Sequence, residues 1–82
     1  MPGIVRMDDL DSGNDAMVEA SETVFVNKKG ACHFGNKDSG DDTNDTGSDN
    51  VFIHNKKITR IDDTDSGYDV KQEGSDNVFA ND

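Results

Sequence analysis

Residues 47–70 read GSDNVFIHNKKITRIDDTDSGYDV, and each block of that stretch has counterparts elsewhere at a fixed step. Asp65-Ser66-Gly67 follows Asp38-Ser39-Gly40 and Asp11-Ser12-Gly13, each copy 27 residues on from the one before. Val51-Phe52 matches Val24-Phe25 and Val78-Phe79 at the same step. Three units, 1–27, 28–54 and 55–82, fill the 82-residue chain as one domain. A periodic chain stacks or rotates one supersecondary unit that cannot bury its apolar face alone. The first and last copies resemble each other well, whereas terminal copies of a solenoid are atypical caps, so rotation is favoured over stacking.

The composition sets limits on that reading. Only 30% of residues are apolar, tryptophan is absent and the net charge is −10, a profile that drifts towards disordered chains. Recurrence of Val, Phe and Ile at fixed positions argues for a fold, because a solvated chain has no need of it. The core of so small a domain is thin and calls for a staple or a partner. The negative charge argues against nucleic acid and anionic membrane surfaces as partners. The start, MPGIVRMDD, lacks the apolar run of a signal peptide, which implies synthesis in a cytoplasm, and the single cysteine, Cys32, fits a reducing compartment.

Within each unit, residues 4–7, 31–34 and 58–61 read IVRM, ACHF and ITRI. Their third positions are Arg6, His33 and Arg60, and their fourth are Met7, Phe34 and Ile61. That alternation predicts half-buried strands with the fourth residue inward. The Val-Phe segments, rich in β-branched and aromatic residues, predict a second strand. The polar stretches 27–30 and 54–57 between them predict hairpin turns. No helical period persists for ten residues, so the fold expected is all-β. Phe25, Phe52 and Phe79 are the expected core anchors, with Met7, Phe34 and Ile61 beneath them. Each Asp-Ser-Gly, led by Asp11, Asp38 or Asp65, reads as the turn of an acidic loop, with Gly13, Gly40 and Gly67 expected to take positive φ there.

A single chain of three equivalent units presents three similar patches and matches the end of a homotrimer. Three equivalent ligand sites or a linear stack remain open alternatives on the repeat alone.

The blocks carry a resemblance. Residues 2–9 read PGIVRMDD, residues 47–63 GSDNVFIHNKKITRIDD and residues 74–81 GSDNVFAN, with Arg6 and Arg60 three residues before Asp9 and Asp63. Over essentially its whole length the chain resembles the proline-alanine-alanine-arginine (PAAR) repeat family, which tips the spikes of contractile phage tails and type VI secretion systems. The middle copy departs most, with His33 for the arginine and Asn36 for the aspartate. The resemblance implies a small β cone of three hairpin-containing repeats with pseudo-threefold symmetry. It further implies a non-enzymatic structural tip, one copy per homotrimeric β-helical spike, carried in a virion baseplate. Such a tip meets the target cell envelope transiently. The absence of any toxin extension favours the phage setting.

Family members hold zinc near the point through histidines and a cysteine. Where the family has His after Ser-Gly, this chain has Asn14, Asp41 and Tyr68, so zinc is not expected. Cys32, His33 and His54 are too few for a four-ligand structural zinc, and adjacent strand residues face opposite ways. Asp15, Asp42 and Asp69, 27 apart, would form a hard-cation site for Ca²⁺ or Mg²⁺ if their loops converge. A small acidic cation-binding module is therefore the second functional reading. No phosphate loop, nucleophile elbow or tuned acid–base pair is present, and an enzyme is not expected.

Overall fold

The computed structural model describes residues 1–80. Its regular strands are β1 (Phe25–Val26), β2 (Lys29–Gly30), β3 (Phe52–Ile53) and β4 (Lys56–Lys57), and no helix occurs among the described residues. They form two antiparallel hairpins, β1–β2 and β3–β4. The fold is all-β, as the pattern predicts, and no helix is long and apolar enough to cross a membrane.

Both hairpins fall at the unit junctions. Val26 pairs with Lys29 and Ile53 with Lys56, leaving two-residue turns at Asn27-Lys28 and His54-Asn55. All four turn residues have positive φ, between 52° and 70°. That is the signature of a type I′ turn, whose twist matches that of the flanking strands. A third pairing completes the set. Gly3 bridges Phe79, and the Ile4 N–H donates to the Val78 carbonyl at 3.1 Å, so the two ends of the chain make the contact that each hairpin makes internally.

Residues 4–7, 31–34 and 58–61 do not form continuous strands. Each meets both of its counterparts through single bridges, Ile4 with Arg60, Arg6 with Ala31 and His33 with Ile58. At their centre the backbone closes a triangle. The Val5 N–H donates to the Thr59 carbonyl, Thr59 to Cys32, and Cys32 to Val5, at 2.9–3.0 Å. Each segment thus gives one bond to one neighbour and accepts one from the other, which closes the ring at its centre.

The core differs from the expected one. Ile4, Ala31 and Ile58 pack with Val26, Ile53 and Ala80, two equivalent triplets whose small members, Ala31 and Ala80, offset the larger ones. Val5, Met17 and Cys32 form a second cluster. Phe25, Phe52 and Phe79 are 60, 52 and 46% exposed, Phe34 is 45% exposed, and Met7 and Ile61 are only half-buried. These six are not the core anchors. In the hairpin pleat, successive side chains take opposite faces, and the inward one is the aliphatic residue after each phenylalanine. In the central segments the first two positions are inward: Ile4, Ala31 and Ile58 join the first cluster, Val5 and Cys32 the second, and Thr59 is buried against Asn44.

Ile53→Ala should therefore destabilise the protein by about 2–4 kcal/mol, whereas Phe52→Ala should cost the isolated protein less than about 1 kcal/mol. Urea unfolding of the two variants checks the order. A larger loss for Phe52→Ala would restore the phenylalanines to the core.

Candidate functional site

Each residue of the repeated Asp-Ser-Gly has its own task. The aspartate ties the turn: Asp11 Oδ1 accepts from the Gly13 and Asp15 N–H groups at 2.8 and 3.0 Å, Asp38 Oδ1 from Gly40 and Asp42 at 2.9 and 3.1 Å, and Asp65 Oδ1 from Gly67 and Asp69 at 2.9 and 3.0 Å. The serine joins the turn to the neighbouring unit. Ser12, Ser39 and Ser66 donate their N–H to the carbonyls of Val70, Ala16 and Thr43. Their Oγ atoms accept from the N–H groups of the same three residues at 2.9–3.1 Å. Unit 1 is thereby joined to unit 3, unit 3 to unit 2 and unit 2 to unit 1.

The glycines are needed for space and not for backbone conformation. A Cβ on Gly13, Gly40 or Gly67 would lie 2.8, 2.7 or 2.5 Å from a carboxylate oxygen of Asp69, Asp15 or Asp42, respectively. Positive φ falls instead on the next residue, Asn14 at 65°, Asp41 at 67° and Tyr68 at 68°. The expectation of positive φ at Gly13, Gly40 and Gly67 is corrected accordingly. Asn and Asp tolerate this left-handed conformation better than a bulky residue does, so Tyr68 is the strained member of the three.

Asp15, Asp42 and Asp69 do not come together as one triplet; they meet in pairs, each pair grouped with one inner aspartate. Each is half-buried and leans over the glycine of the next unit, within 3.3–3.4 Å of its serine hydroxyl. Burial and the charges of Asp11 and Asp65 raise the Asp69 pKa. The carboxylates that do converge are those read from sequence as turn residues, Asp11, Asp38 and Asp65. Each is 1% exposed, and their Oδ2 atoms have no hydrogen-bond partner.

Among them stands Lys71. Its Nζ is 3.9, 3.8 and 3.6 Å from Oδ2 of Asp11, Asp38 and Asp65, and the side chain is 2% exposed. Its positional equivalents are Met17 and Asn44, also fully buried. Met17 Sδ lies 3.5 Å from the ammonium, and the Asn44 amide donates to Thr59 Oγ1 at 3.0 Å and to the His33 carbonyl at 3.1 Å. Sequence reading missed Lys71, although the signal was there, since positions 17, 44 and 71 are 27 apart and one holds a cation.

Three carboxylates facing one ammonium leave an excess of negative charge in a desolvated place. The excess raises the proton affinity of one of the three. Burial, reinforced by the neighbouring Asp65 and Asp11 and opposed by the N–H groups of Asp42 and Gly40, pushes Asp38 up to about 6. Burial also acts to raise Asp65. There it is outweighed by the Asp69 N–H, by the adjacent Asp38 carboxyl, by the Gly67 N–H and by the charge of Lys71, so Asp65 is held below the usual carboxylate range.

The side chains of soft or imidazole type, judged too few for zinc, are engaged elsewhere. Cys32 is fully buried, its thiol pushed up to about 12 by burial, and Sγ donates to the Glu19 carbonyl at 3.6 Å. His33 Nδ1 meets the Phe34 carbonyl at 2.8 Å, and His54 Nε2 meets Thr23 Oγ1 at 2.9 Å. Among the described residues, every group of three or more candidate ligands is made of aspartates alone. A tetrahedral zinc site of nitrogen and sulfur donors does not fit this arrangement.

The Arg-x-x-Asp pairs form side-chain clamps. Arg6 reaches Asp9 at 2.9 and 3.1 Å, and Arg60 reaches Asp63 at 3.1 and 3.0 Å. In the divergent middle unit Asn36 Oδ1 still accepts from the His33 N–H at 2.8 Å, as Asp9 does from Arg6 and Asp63 from Arg60. The turn survives there without the ion pair. No protein-family model matches the sequence, and no curated protein matches it.

Two outcomes follow from this geometry. Asp38 is more basic folded than unfolded, so its contribution is present at low pH and is lost as pH rises from about 4 through 6, by up to about 3 kcal/mol. Asp65 acts in the opposite sense and loses its contribution as pH falls below the ordinary carboxylate range. Thermal melts should rise from pH 7 to pH 5, and Asp38→Asn should remove most of that slope. An unchanged slope in the variant refutes the assignment. Gly40→Ala should destabilise by about 1–3 kcal/mol through the collision with Asp15, and the double variant Gly40→Ala/Asp15→Ala should recover much of the loss.

Proposed function

We propose that this chain is a non-enzymatic tip, a pseudo-threefold cone of three 27-residue units that caps a homotrimeric β-helical spike, one copy per trimer. The observation that carries the reading is the threefold recurrence of exposed apolar side chains. Phe25, Phe52 and Phe79 lie outward in all three units, and Val24 and Val78 beside them are more than one-third exposed. An isolated domain gains nothing from three solvated phenylalanines at equivalent places. A trimer offers three equivalent surfaces to cover them, and a trimeric β-helix ends in strand edges and apolar surface that need a cap.

The PAAR-like blocks support the same reading. On this proposal the setting is a contractile injection machine, with the phage tail baseplate preferred, where the tip helps breach a cell envelope. The tip's work is mechanical, and the cross-unit hydrogen bonds and buried ion cluster supply rigidity. The other reading, an acidic module taking Ca²⁺ or Mg²⁺ through Asp15, Asp42 and Asp69, is weaker, because those acids meet only in pairs and form no single cluster, and the inner triplet already faces Lys71.

Native mass spectrometry of this protein with a trimeric spike should give one copy per three spike chains. Replacing Phe25, Phe52 and Phe79 together by Ser should abolish the complex while leaving the isolated fold cooperative. Equimolar complexes, or binding unaffected by the triple substitution, would overturn the proposal.

A further inference from the structure

Positions 17, 44 and 71 are equivalent, fully buried and occupied by Met, Asn and Lys. Only the third side chain carries charge, and it is aimed at the one place among the described residues where three fully buried carboxylates meet. The ammonium stands between 3.6 and 3.9 Å from all three Oδ2 atoms, nearly equidistant. We propose that Lys71 is a built-in counter-ion: it takes the role that a hard divalent cation would play among Asp11, Asp38 and Asp65, and its removal opens those carboxylates to such an ion.

The geometry makes ammonium and metal alternatives. One ligand oxygen from each aspartate lies within 4.8 Å of the other two, so the centre of the triangle is at most about 2.8 Å from each, close to the 2.3–2.6 Å of calcium–oxygen bonds. An ion at that centre would lie nearer to Nζ than Nζ lies to any of the three oxygens. Two positive charges cannot share so short a separation in a desolvated place. With the ammonium gone, the Oδ2 atoms are free of hydrogen bonds, and each Oδ1 stays fixed by two backbone N–H groups. Asp15, Asp42 and Asp69 flank this triangle in groups of two outer carboxylates and one inner. An oxygen-only set selects Ca²⁺, Mg²⁺ or Mn²⁺ over softer metals.

Sterically, the exchange is mild. The fold already buries methionine at the equivalent position of the first unit, where Met17 is 1% exposed. Lys71→Met therefore removes the charge and keeps a side chain of similar length. The inference concerns the acid cluster alone and does not depend on what the protein caps.

The test uses the full chain, Lys71→Met and Lys71→Met/Asp38→Asn, each melted in chelator and then in excess Ca²⁺ or Mn²⁺, with calorimetric titration of the same ions. The natural protein should melt at the same temperature in both. Lys71→Met should be strongly destabilised or unfolded in chelator and gain on the order of 10 °C or more with the ion. One ion should bind per chain, and the double variant should lose most of the gain. A stoichiometric ion in the natural protein that disappears on Asp38→Asn would overturn the proposal. So would Lys71→Met melting like the natural protein without binding metal, or remaining unfolded whether or not metal is present.

Discussion

Three carboxylates held around one ammonium set the terms for the rest of this structure. Each inner aspartate uses one oxygen to tie its own turn and turns the other towards the centre, so local loop geometry and the central charge are fixed by the same side chain. None of the three can be moved without exposing the others to unbalanced repulsion, since breaking a buried ion cluster costs far more than an exposed one. The arrangement also accounts for a threefold body built as one chain. A homotrimer would bring three lysines to the centre, and they would repel. A single chain can place one lysine there with a methionine and an asparagine beside it.

Around that centre the small apolar content is used sparingly. Ile4, Ala31, Ile58, Val26, Ile53 and Ala80 form one cluster, and Val5, Met17 and Cys32 another. Much of what joins the units is therefore hydrogen bonding that runs between them: the backbone triangle of Val5, Cys32 and Thr59, and the serine contacts that link each loop to its neighbour. Because every unit is both donor and acceptor to another, and because the chain ends complete the third hairpin-like pairing, opening one unit weakens all three. The proposed role as a tip driven through an envelope would draw on that cooperativity.

Much of this was legible in the sequence, and the rest was not for identifiable reasons. The 27-residue step, the hairpins at the junctions and the all-β character followed from pattern. The orientation of the Val-Phe strands did not: in a two-residue strand, pleat alternation gives two equally consistent faces, and hydrophobicity alone favoured the larger residue. That choice put Phe25, Phe52 and Phe79 inside and overlooked Val26, Ile53 and Ala80. Asp11, Asp38 and Asp65 were read as turn formers, which they are, and their second oxygens were invisible to a turn rule. Gly13, Gly40 and Gly67 were given the left-handed backbone that belongs to Asn14, Asp41 and Tyr68, because glycine's freedom and its small size leave the same mark on a sequence.

The central claim is that the ammonium of Lys71 is sequestered among Asp11, Asp38 and Asp65. Nitrogen-15 NMR of the lysine side chains near neutral pH tests it directly. Solvated ammonium protons exchange too fast to be seen, whereas those of a buried ammonium persist. The account predicts one slowly exchanging NH₃⁺ signal, assignable to Lys71 and lost in Lys71→Met, set apart from those of the other lysines. Six lysine signals that all exchange rapidly, or a neutral Lys71 amine, would contradict it.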